Sequence, residues 1–352
     1  MKLIFSICAL GVIAATLLPI WKHEAWWIRI FDFPRQQIAA GGLAIAAGYA
    51  LMIPLATRLD VAILIVLAVC SGYQCWKIVP YTPLHPPQVK TARTEARSCG
   101  RVSVLIANVL MENRESDRFI DLVREHDPDV LLTVETDRWW VDVLSSLDGS
   151  YPYSVKVPLP STYGMTLQSR LEVVESEVRY LVDDGIPSIY ARIMLPEGTA
   201  VRIYGLHPRP PGPTQDADTI DRDAEVLVVG REVRASDEPT IVMGDLNDVA
   251  WSYSTNLFQR ISGMLDPRIG RGTYSTFHAG NVLMRWPLDH LFHSGHFKLV
   301  RIERLPAWGS DHFPMFVRLQ YSANGEEVHD VPEAGRAARS EAIEKIDKAY
   351  DD

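Results

Sequence analysis

IVMGDLNDVAWS, residues 241–252, is the stretch around which the rest of the chain is organised. Its first three residues predict a short buried strand, and Gly244 allows the backbone to turn where that strand ends. Asp245 and Asn247 follow two residues apart, so their side chains share one face if the backbone stays extended. A carboxylate beside an amide at the end of a buried strand suits a metal or a nucleophilic water, although Gly, Asp and Asn are also ordinary turn residues.

Charge is distributed unevenly along the 352 residues. Residues 1–100 contain 9 Lys or Arg and 4 Asp or Glu, whereas residues 101–352 contain 26 and 40. A protein that grips a long polyanion normally does so with clustered Lys and Arg, which disfavours a duplex-binding role for this acidic body. The four cysteines form neither a disulfide framework nor a zinc-binding spacing.

Three apolar runs without a charged residue open the chain, at Leu3–Ile20, Ile38–Thr57 and Val61–Trp76. Each is close to the ~20 residues that cross a bilayer as a helix. They predict an anchor of three transmembrane helices over residues 1–80. A signal peptide is the alternative for the first run, and buried helices of a soluble protein are the alternative for all three.

A proline-rich and basic linker is predicted over residues 81–100, as a solvated tether or in contact with anionic lipid. The predicted location is the cell (inner) membrane, with a multi-pass anchor that contacts membrane lipids. Lys and Arg are concentrated around the first loop and the linker, so the positive-inside rule places the linker, and the part of the chain that follows it, in the cytoplasm. A short N-terminus on the inside would give the opposite orientation.

From Arg101 the pattern changes to short strands mixed with helices, which predicts one domain over residues 101–320. Residues 321–352 are strongly charged and predict a mobile tail, with a helix over 336–350. Within the domain, polar residues recur at or just beyond the ends of apolar runs. Strand ends converge in space in a layered fold, so these residues are candidates for one site: Asn108, Glu135, His207, Asp245, Asn247, Asp289, Asp311 and His312.

The order of these residues resembles the endonuclease/exonuclease/phosphatase superfamily, whose fold is that of pancreatic deoxyribonuclease and neutral sphingomyelinases. The resemblance covers residues 101–320 and is closest to membrane-anchored bacterial members. It is carried by Asn108, VLLTVE ending at Glu135, YGLHPRPP around His207, GDLND at 244–248, LDHLF at 288–292 and GSDHFP at 309–314. It implies an α+β fold, a four-layer α/β/β/α sandwich of two mainly antiparallel sheets flanked by helices. One strand departs from the family pattern, since TYGMTLQS stands where a Gly-Gly-Val-Ala-like run is usual.

The resemblance implies metal-assisted hydrolysis of a phosphate ester, with Mg²⁺ as cofactor and Mn²⁺ as a possible substitute. Glu135 would be the hard oxygen ligand of the cation, with Asn108 beside it. Asp311 would either bind metal or fix the neighbouring histidine, and the sequence leaves both roles open.

The remaining candidates would act directly in catalysis. Asp245 would orient and deprotonate the attacking water, and Asn247 would hold a phosphoryl oxygen. His207 and His312 would donate hydrogen bonds to negative charge that develops in the transition state, with Asp289 orienting His312. These assignments follow from the resemblance together with the residue types.

The predicted function is therefore that of a membrane-anchored phosphodiesterase. A phosphomonoesterase, an endo- or exonuclease, and a non-catalytic membrane-bound binding module are the alternatives. Residues 101–320 contain 22 basic and 31 acidic residues, and tethering restricts the enzyme to what lies near a bilayer. A lipid-linked or small phosphate ester is therefore expected as substrate in preference to duplex DNA.

Overall fold

The computed structural model describes residues 1–92, 100–212, 217–322 and 329–351. The helices are α1 Lys2–Leu17, α2 Trp26–Arg29, α3 Arg35–Met52, α4 Arg58–Ile78, α5 Ser116–His126, α6 Arg138–Leu144, α7 Ile220–Arg234, α8 Tyr253–Ser262 and α9 Arg336–Asp351. The strands are β1 Arg101–Asn108, β2 Val130–Val134, β3 Tyr153–Val157, β4 Met165–Ser169, β5 Val173–Arg179, β6 Ser188–Met194, β7 Ala200–Leu206, β8 Thr240–Asp245, β9 Asp289–His293, β10 Phe297–Arg304 and β11 Met315–Tyr321.

Eleven strands in the described residues form two mixed sheets. The six-stranded sheet has the order β10-β11-β1-β2-β4-β3, and the five-stranded sheet has the order β5-β6-β7-β8-β9. The pairs β1–β2 and β7–β8 are parallel, and the other neighbouring pairs are antiparallel. Helices are needed to connect the parallel pairs, and α5 and α7 supply those connections.

The two sheets pack face to face around one apolar core of inward-facing side chains from both, including Ile106, Leu132, Ile203 and Met243. On the outer face of the six-stranded sheet, α5 and α6 cover a second cluster that contains Phe119 and Trp140. Helices α7 and α8 cover the outer face of the five-stranded sheet. This arrangement of layers confirms the predicted α/β/β/α sandwich.

The prediction of three membrane-spanning helices was wrong in its count. In the described residues, two helical stretches are long and apolar enough to cross a membrane, Lys2–Trp21 and Arg58–Tyr81, with hydropathies of 2.5 and 1.8. Helix α3 differs because its first turn is Arg35-Gln36-Gln37 and much of the rest is Ala and Gly. Signal sequences and core helices can have the same length and composition, so these two stretches alone do not establish membrane anchoring.

The predicted linker and tail lie partly outside the described residues, at 93–99 and at 323–328 and 352. The described part of the linker packs on the two-sheet domain, since Val89 is fully buried in the core between the sheets. The expected helix in the tail is present as α9. It packs against α7 and α8 through buried Ala338, Ala342 and Ile346. The high charge predicted a mobile tail here, and the structure has a docked helix.

The registers of the two sheets bring the ends of their central strands to one edge of the sandwich. In the six-stranded sheet, Asn108 at the end of β1 pairs with Val134, so Glu135 emerges beside it. In the five-stranded sheet, Asp245 at the end of β8 pairs with Asp289 at the start of β9. Four polar side chains therefore come together from strands that are up to 181 residues apart in the chain.

Candidate active site

Asn108 connects the carboxylates that come from the two sheets. Its amide nitrogen Nδ2 donates to Glu135 Oε1 at 2.7 Å and to Asp245 Oδ2 at 3.1 Å, while its Oδ1 accepts from Leu110 N at 2.9 Å. Glu135 lies just beyond β2 with a positive φ of 63°, a conformation that is unfavourable for a residue with a side chain. Unfavourable backbone geometry of this kind is concentrated at functional sites.

His312 lies between two carboxylates on the other side of Asp245. Its Nδ1 is 2.7 Å from Asp289 Oδ2, and its Nε2 is 3.6 Å from Asp245 Oδ2. All three side chains are buried, with at most 4% of each residue exposed. Two carboxylates beside one imidazole favour its protonated form, because both negative charges stabilise the imidazolium.

His207 and Asn247 lie beside Asp245, and each forms a hydrogen bond with it. His207 Nδ1 donates to the main-chain oxygen of Asp245 at 3.1 Å, which leaves Nε2 as the free ring nitrogen. Asn247 N donates to Asp245 Oδ1 at 2.9 Å, and its side-chain Nδ2 donates to Pro208 O at 3.0 Å. Asn247 has a φ of 50°, which the turn after β8 requires.

Asp311 is less closely connected to the cluster than the other candidates. Its main-chain oxygen accepts from Ala279 N at 2.6 Å, and Ser310 Oγ lies 3.5 Å from its Oδ1. Its negative charge adds to the field around His312. Within the described residues Asp311 therefore acts on His312 through its charge, and its role as a metal ligand stays a prediction.

Burial and charge pull the pKa values of the site apart. Burial opposes the charge of His312, but Asp289 and Asp245 outweigh it and raise the pKa of His312 to about 10. Burial also disfavours the charge of Asp245, but His312 and His207 hold the pKa of that carboxyl below its usual range. Burial raises the pKa of Asp289 and of Glu135. Paired groups with opposed shifts are typical of acid–base sites.

The residues around Glu135 fit a hard divalent cation. The Asn108 amide lies between the carboxylates of Glu135 and Asp245. A cation bound there would compensate the negative charges of both carboxylates. Carboxylate oxygens, together with the Asn108 amide turned to present its oxygen, form the donor set that Mg²⁺ and Mn²⁺ prefer.

A second group of ligand atoms comes from Asp245, Asp289 and His312, which lie within 4.8 Å of one another. Nδ1 of His312 already contacts Asp289 Oδ2 at 2.7 Å, however, so only Nε2 of that ring could face a metal. The geometry therefore favours the Glu135 side of Asp245 for a cation.

Three residues that support the site were not among the sequence candidates. Ser310 Oγ donates to Asn108 O at 2.8 Å and accepts from His312 N at 3.0 Å, which ties the loop before β11 to the end of β1. Thr276 Oγ1 accepts from Asp289 N at 3.1 Å, and Arg222 NH1 donates to Asn247 O at 2.9 Å. Ser310 belongs to GSDHFP and could have been chosen from that motif, whereas nothing local in the sequence distinguishes Thr276 or Arg222.

The sequence matches the Endonuclease/Exonuclease/phosphatase family over residues 105–312. No curated protein matches the chain in sequence. Similar solved structures include a family protein from Bacteroides thetaiotaomicron, with 18% identity, a TM-score of 0.53, and coverage of 64% of this chain and 99% of that chain. Another is an endonuclease/exonuclease/phosphatase from Beutenbergia cavernae DSM 12333, with 17% identity, a TM-score of 0.50, and coverage of 63% and 72%.

The human Nocturnin catalytic domain with bound sulfate anion is also similar, with 17% identity, a TM-score of 0.52, and coverage of 63% of this chain and 95% of that chain. At these identities the likeness establishes the fold alone. The family match spans more than half of the chain and includes every candidate residue from Asn108 to His312. The chain therefore belongs to the endonuclease/exonuclease/phosphatase family.

Proposed function

We propose that this protein is a membrane-anchored, divalent-metal-dependent phosphodiesterase that hydrolyses its substrate by in-line attack of water. The observation that supports this most directly is the continuous set of contacts from Glu135 through Asn108 and Asp245 to His312 and Asp289. These contacts join the strand ends of both sheets in one buried site. Members of this family generally hydrolyse phosphate esters, and the residue types agree with that chemistry.

Glu135 and Asn108 would hold the cation, for which we propose Mg²⁺ with Mn²⁺ as a substitute. When bound, the cation would offset negative charge on the phosphoryl group and on the leaving oxygen. Met111 N donates to Glu135 Oε2 at 3.3 Å, and this contact would hold the carboxylate when the Asn108 amide turns its oxygen toward the cation.

Asp245 would orient the attacking water and accept its proton, since its pKa is depressed and it is ionised at neutral pH. Protonated His312 would donate from Nε2 to a phosphoryl oxygen as negative charge develops there, with Asp289 fixing the ring through Nδ1. With a hydrogen on both ring nitrogens, His207 would also donate from Nε2 to the phosphoryl group, and Asn247 would hold a further phosphoryl oxygen. No Ser or Cys of the chain is needed as a nucleophile.

We further propose that the substrate is a lipid-linked or small phosphodiester rather than duplex DNA. The acidic balance of residues 101–320 opposes counterion release on a long polyanion. The two apolar helical stretches at the N-terminus support tethering to the cell membrane. On the positive-inside rule the catalytic domain would lie on the cytoplasmic side.

The metal mechanism is tested with purified full-length protein in detergent and bis(p-nitrophenyl) phosphate as substrate. We expect activity with Mg²⁺ or Mn²⁺ and none with EDTA. Glu135→Ala, Asp245→Asn and His312→Ala should each lower kcat by at least ~100-fold, the lower range for the loss of one acid–base group. Asp121→Asn on the exposed face of α5 is the matched control. Full activity in EDTA would exclude the metal mechanism.

The substrate class is tested by comparing phospholipids in mixed micelles with supercoiled plasmid DNA under the same metal conditions. We expect the lipid or a small diester to be cleaved faster per site than the plasmid. Rapid nicking of the plasmid beside an inert lipid would reverse the order, and release of phosphate from monoesters alone would identify a phosphomonoesterase.

A further inference from the structure

The loop between α8 and β9 carries an exposed apolar turn. Val282, Leu283 and Met284 form a short 3₁₀ turn with 74%, 78% and 45% of each residue exposed. We call Val282–Met284 the apolar turn. Three successive exposed apolar side chains usually indicate a contact with a partner or a membrane.

The same loop reaches the candidate active site directly. Phe277 forms an isolated bridge with His312, and their rings are 5.0 Å apart. Phe277 also bonds through its main chain to Trp286 at the other end of the loop. The position of the apolar turn is therefore coupled to the ring that would donate to the substrate.

The apolar turn lies beside the N-terminal end of α3. Gln37, in the first turn of α3, donates from Nε2 to Leu283 O at 2.7 Å. Phe33, just before α3, packs edge-to-face on Trp286 with the ring centroids 5.6 Å apart. These contacts place the loop where the N-terminal helices meet the catalytic domain.

The candidate membrane spans end at that same level. Arg35 at the start of α3 donates to Gln74 Oε1 near the end of α4 at 2.8 Å, so the end of α4 adjoins the start of α3. Trp21 and Trp76, at the C-terminal ends of the two candidate spans, are each 66% exposed. Exposed Trp at the end of an apolar helix is typical of the membrane–water interface.

Two arginines lie at the base of the apolar turn. The guanidinium groups of Arg285 and Arg304 lie 5.0 and 4.3 Å from the centre of the Phe313 ring. Burial and the neighbouring charge of Arg285 both lower the pKa of Arg304, as expected where two cations lie close together. Apolar side chains next to paired cations suit a surface that is apolar inside and anionic at its boundary, as a bilayer is.

We propose that the apolar turn enters the surface of a lipid bilayer beside α3, so that the candidate active site opens onto that surface. The inference rests on the proposed function for the membrane anchor and for the chemistry at the site. It identifies the apolar turn as the part of the domain that contacts the bilayer. This contact would favour substrates that are held in the bilayer. A bilayer is favoured over a second protein because the turn contacts the first turn of α3, which itself adjoins the end of the candidate span α4.

The depth of the turn is measured with an environment-sensitive fluorophore on Leu283→Cys in the full-length protein. The protein is reconstituted in vesicles of phosphatidylcholine and phosphatidylglycerol. The matched control is Val174→Cys, an equally apolar site that is 47% exposed on β5, at the opposite edge of the five-stranded sheet from β9. Both variants are made after replacing the native cysteines with alanine, at positions Cys8, Cys70, Cys75 and Cys99.

Spin-labelled lipids should quench the probe at position 283, at a depth of roughly 5–10 Å into the boundary between headgroups and acyl chains. Its emission should also shift to the blue on reconstitution, while the probe at position 174 changes in neither respect. Equal quenching at the two positions would overturn the proposal. A blue shift at position 283 without quenching by lipid would also overturn it, because a protein would then cover the turn.

A second measurement keeps the native cysteines, in case the cysteine-free protein does not fold. A photoreactive amino acid at position 283 should crosslink to phospholipid in the reconstituted protein. Crosslinks to a second copy of the chain instead would overturn the proposal. Neither measurement requires catalytic turnover. An inserted turn on an inactive protein would therefore contradict only the proposed chemistry. A protein that fails to float with vesicles would contradict the membrane anchor as well as the inserted turn.

Discussion

His312 owes its predicted charge to Asp289 more than to any other residue. Asp289 is fully buried, touches Nδ1 at 2.7 Å and is itself fixed through Thr276 and Arg268. Replacement by an amide of the same shape removes the charge that stabilises the imidazolium. We therefore expect Asp289→Asn to lower kcat for the phosphodiester by ~10²–10⁴-fold, the range for loss of one acid–base group, with a smaller change in KM.

The measurement for Asp289→Asn is steady-state kinetics beside a thermal melt of the same preparation. Asp121→Asn, whose side chain is 79% exposed, should leave both quantities unchanged. If Asp289→Asn melts as the wild type does and retains full kcat, then Asp289 does not position the histidine for catalysis.

Glu225 is a buried acid that the proposed mechanism does not use. Burial first, and then the negative charges of Asp183 and Asp221, raise its pKa to about 8. Between the ordinary value of 4.5 and about 8, the folded state keeps a proton that the unfolded state has released. The contribution of Glu225 to the free energy of unfolding is therefore fully present below pH 4.5 and falls as the pH rises toward 8.

Glu225→Gln keeps the shape and removes the titration, so the variant should gain stability relative to wild type as the pH rises through this window. Thermal melts at about pH 5 and about pH 9 measure the difference, which should be larger at the higher pH. Glu125→Gln, on the exposed side of α5, is the control. A difference between Glu225→Gln and wild type that is the same at both pH values would contradict the assignment.

The residues that come together at the site could be predicted, because polar residues at the ends of apolar runs are visible in the sequence. Asn108, Glu135, Asp245, Asp289 and His312 do meet at one edge of the sandwich. Loop residues such as Thr276 were not predictable, because a hydrogen bond between Thr276 Oγ1 and the main-chain nitrogen of Asp289 leaves no periodic pattern. The roles of all eight candidate residues remain predictions.

At the scale of elements, α9 differs most from the sequence-based expectation. The region 321–352 has 9 acidic and 4 basic residues, which favours a solvated tail. Its few apolar anchors are nevertheless spaced four residues apart at Ala338, Ala342 and Ile346, so they share one helix face. Two of the three are alanines, whose weak hydrophobic signal is easily outweighed by charge in a composition-based analysis.

The docking of α9 is further strengthened by charge. Lys345 is mostly buried, and its Nζ lies 2.8 Å from Glu24 Oε1 and 3.3 Å from Asp223 Oδ2. These contacts join the C-terminal helix both to α7 and to the connection after α1. One helix thus binds the catalytic domain and the N-terminal region at the same time.

Ile346→Ala should destabilise the protein by about 2–5 kcal/mol, the cost of removing a buried aliphatic side chain from a packed site. Ile343→Ala in the same helix is the matched control, since Ile343 is 44% exposed and Ile346 is 5% exposed. The free energy of unfolding in denaturant measures both. Equal effects of the two substitutions would indicate that α9 is not docked in solution.

At the scale of the whole molecule, the N-terminal region and the catalytic domain share buried contacts. Trp251 Nε1, in the loop after the Asp245–Asn247 turn, donates to Asp32 O at 2.7 Å. Tyr81 OH donates to Ala250 O at 2.5 Å in the same loop. The loop after the Asp245–Asn247 turn is therefore held by one residue before α3 and by one residue after α4.

This packing determines where the catalytic domain can be separated from the apolar helices. Val89 is fully buried between the sheets, and Lys90 O accepts from Leu299 N at 3.0 Å. A fragment of residues 81–352 keeps these contacts, whereas a fragment of residues 101–352 loses them. Burying one valine side chain contributes roughly 1.5–3 kcal/mol, before the hydrogen bonds and Tyr81 are counted.

We therefore expect the fragment of residues 81–352 to unfold at a higher denaturant concentration than the fragment of residues 101–352, with a free-energy difference of at least ~2 kcal/mol. Val89→Ala in the longer fragment should account for part of this difference, and Leu84→Ala should account for none, since Leu84 is 84% exposed. Both fragments are also assayed on the same diester. If they unfold at the same denaturant concentration with the same slope, residues 81–92 act only as a tether and the catalytic unit begins at β1.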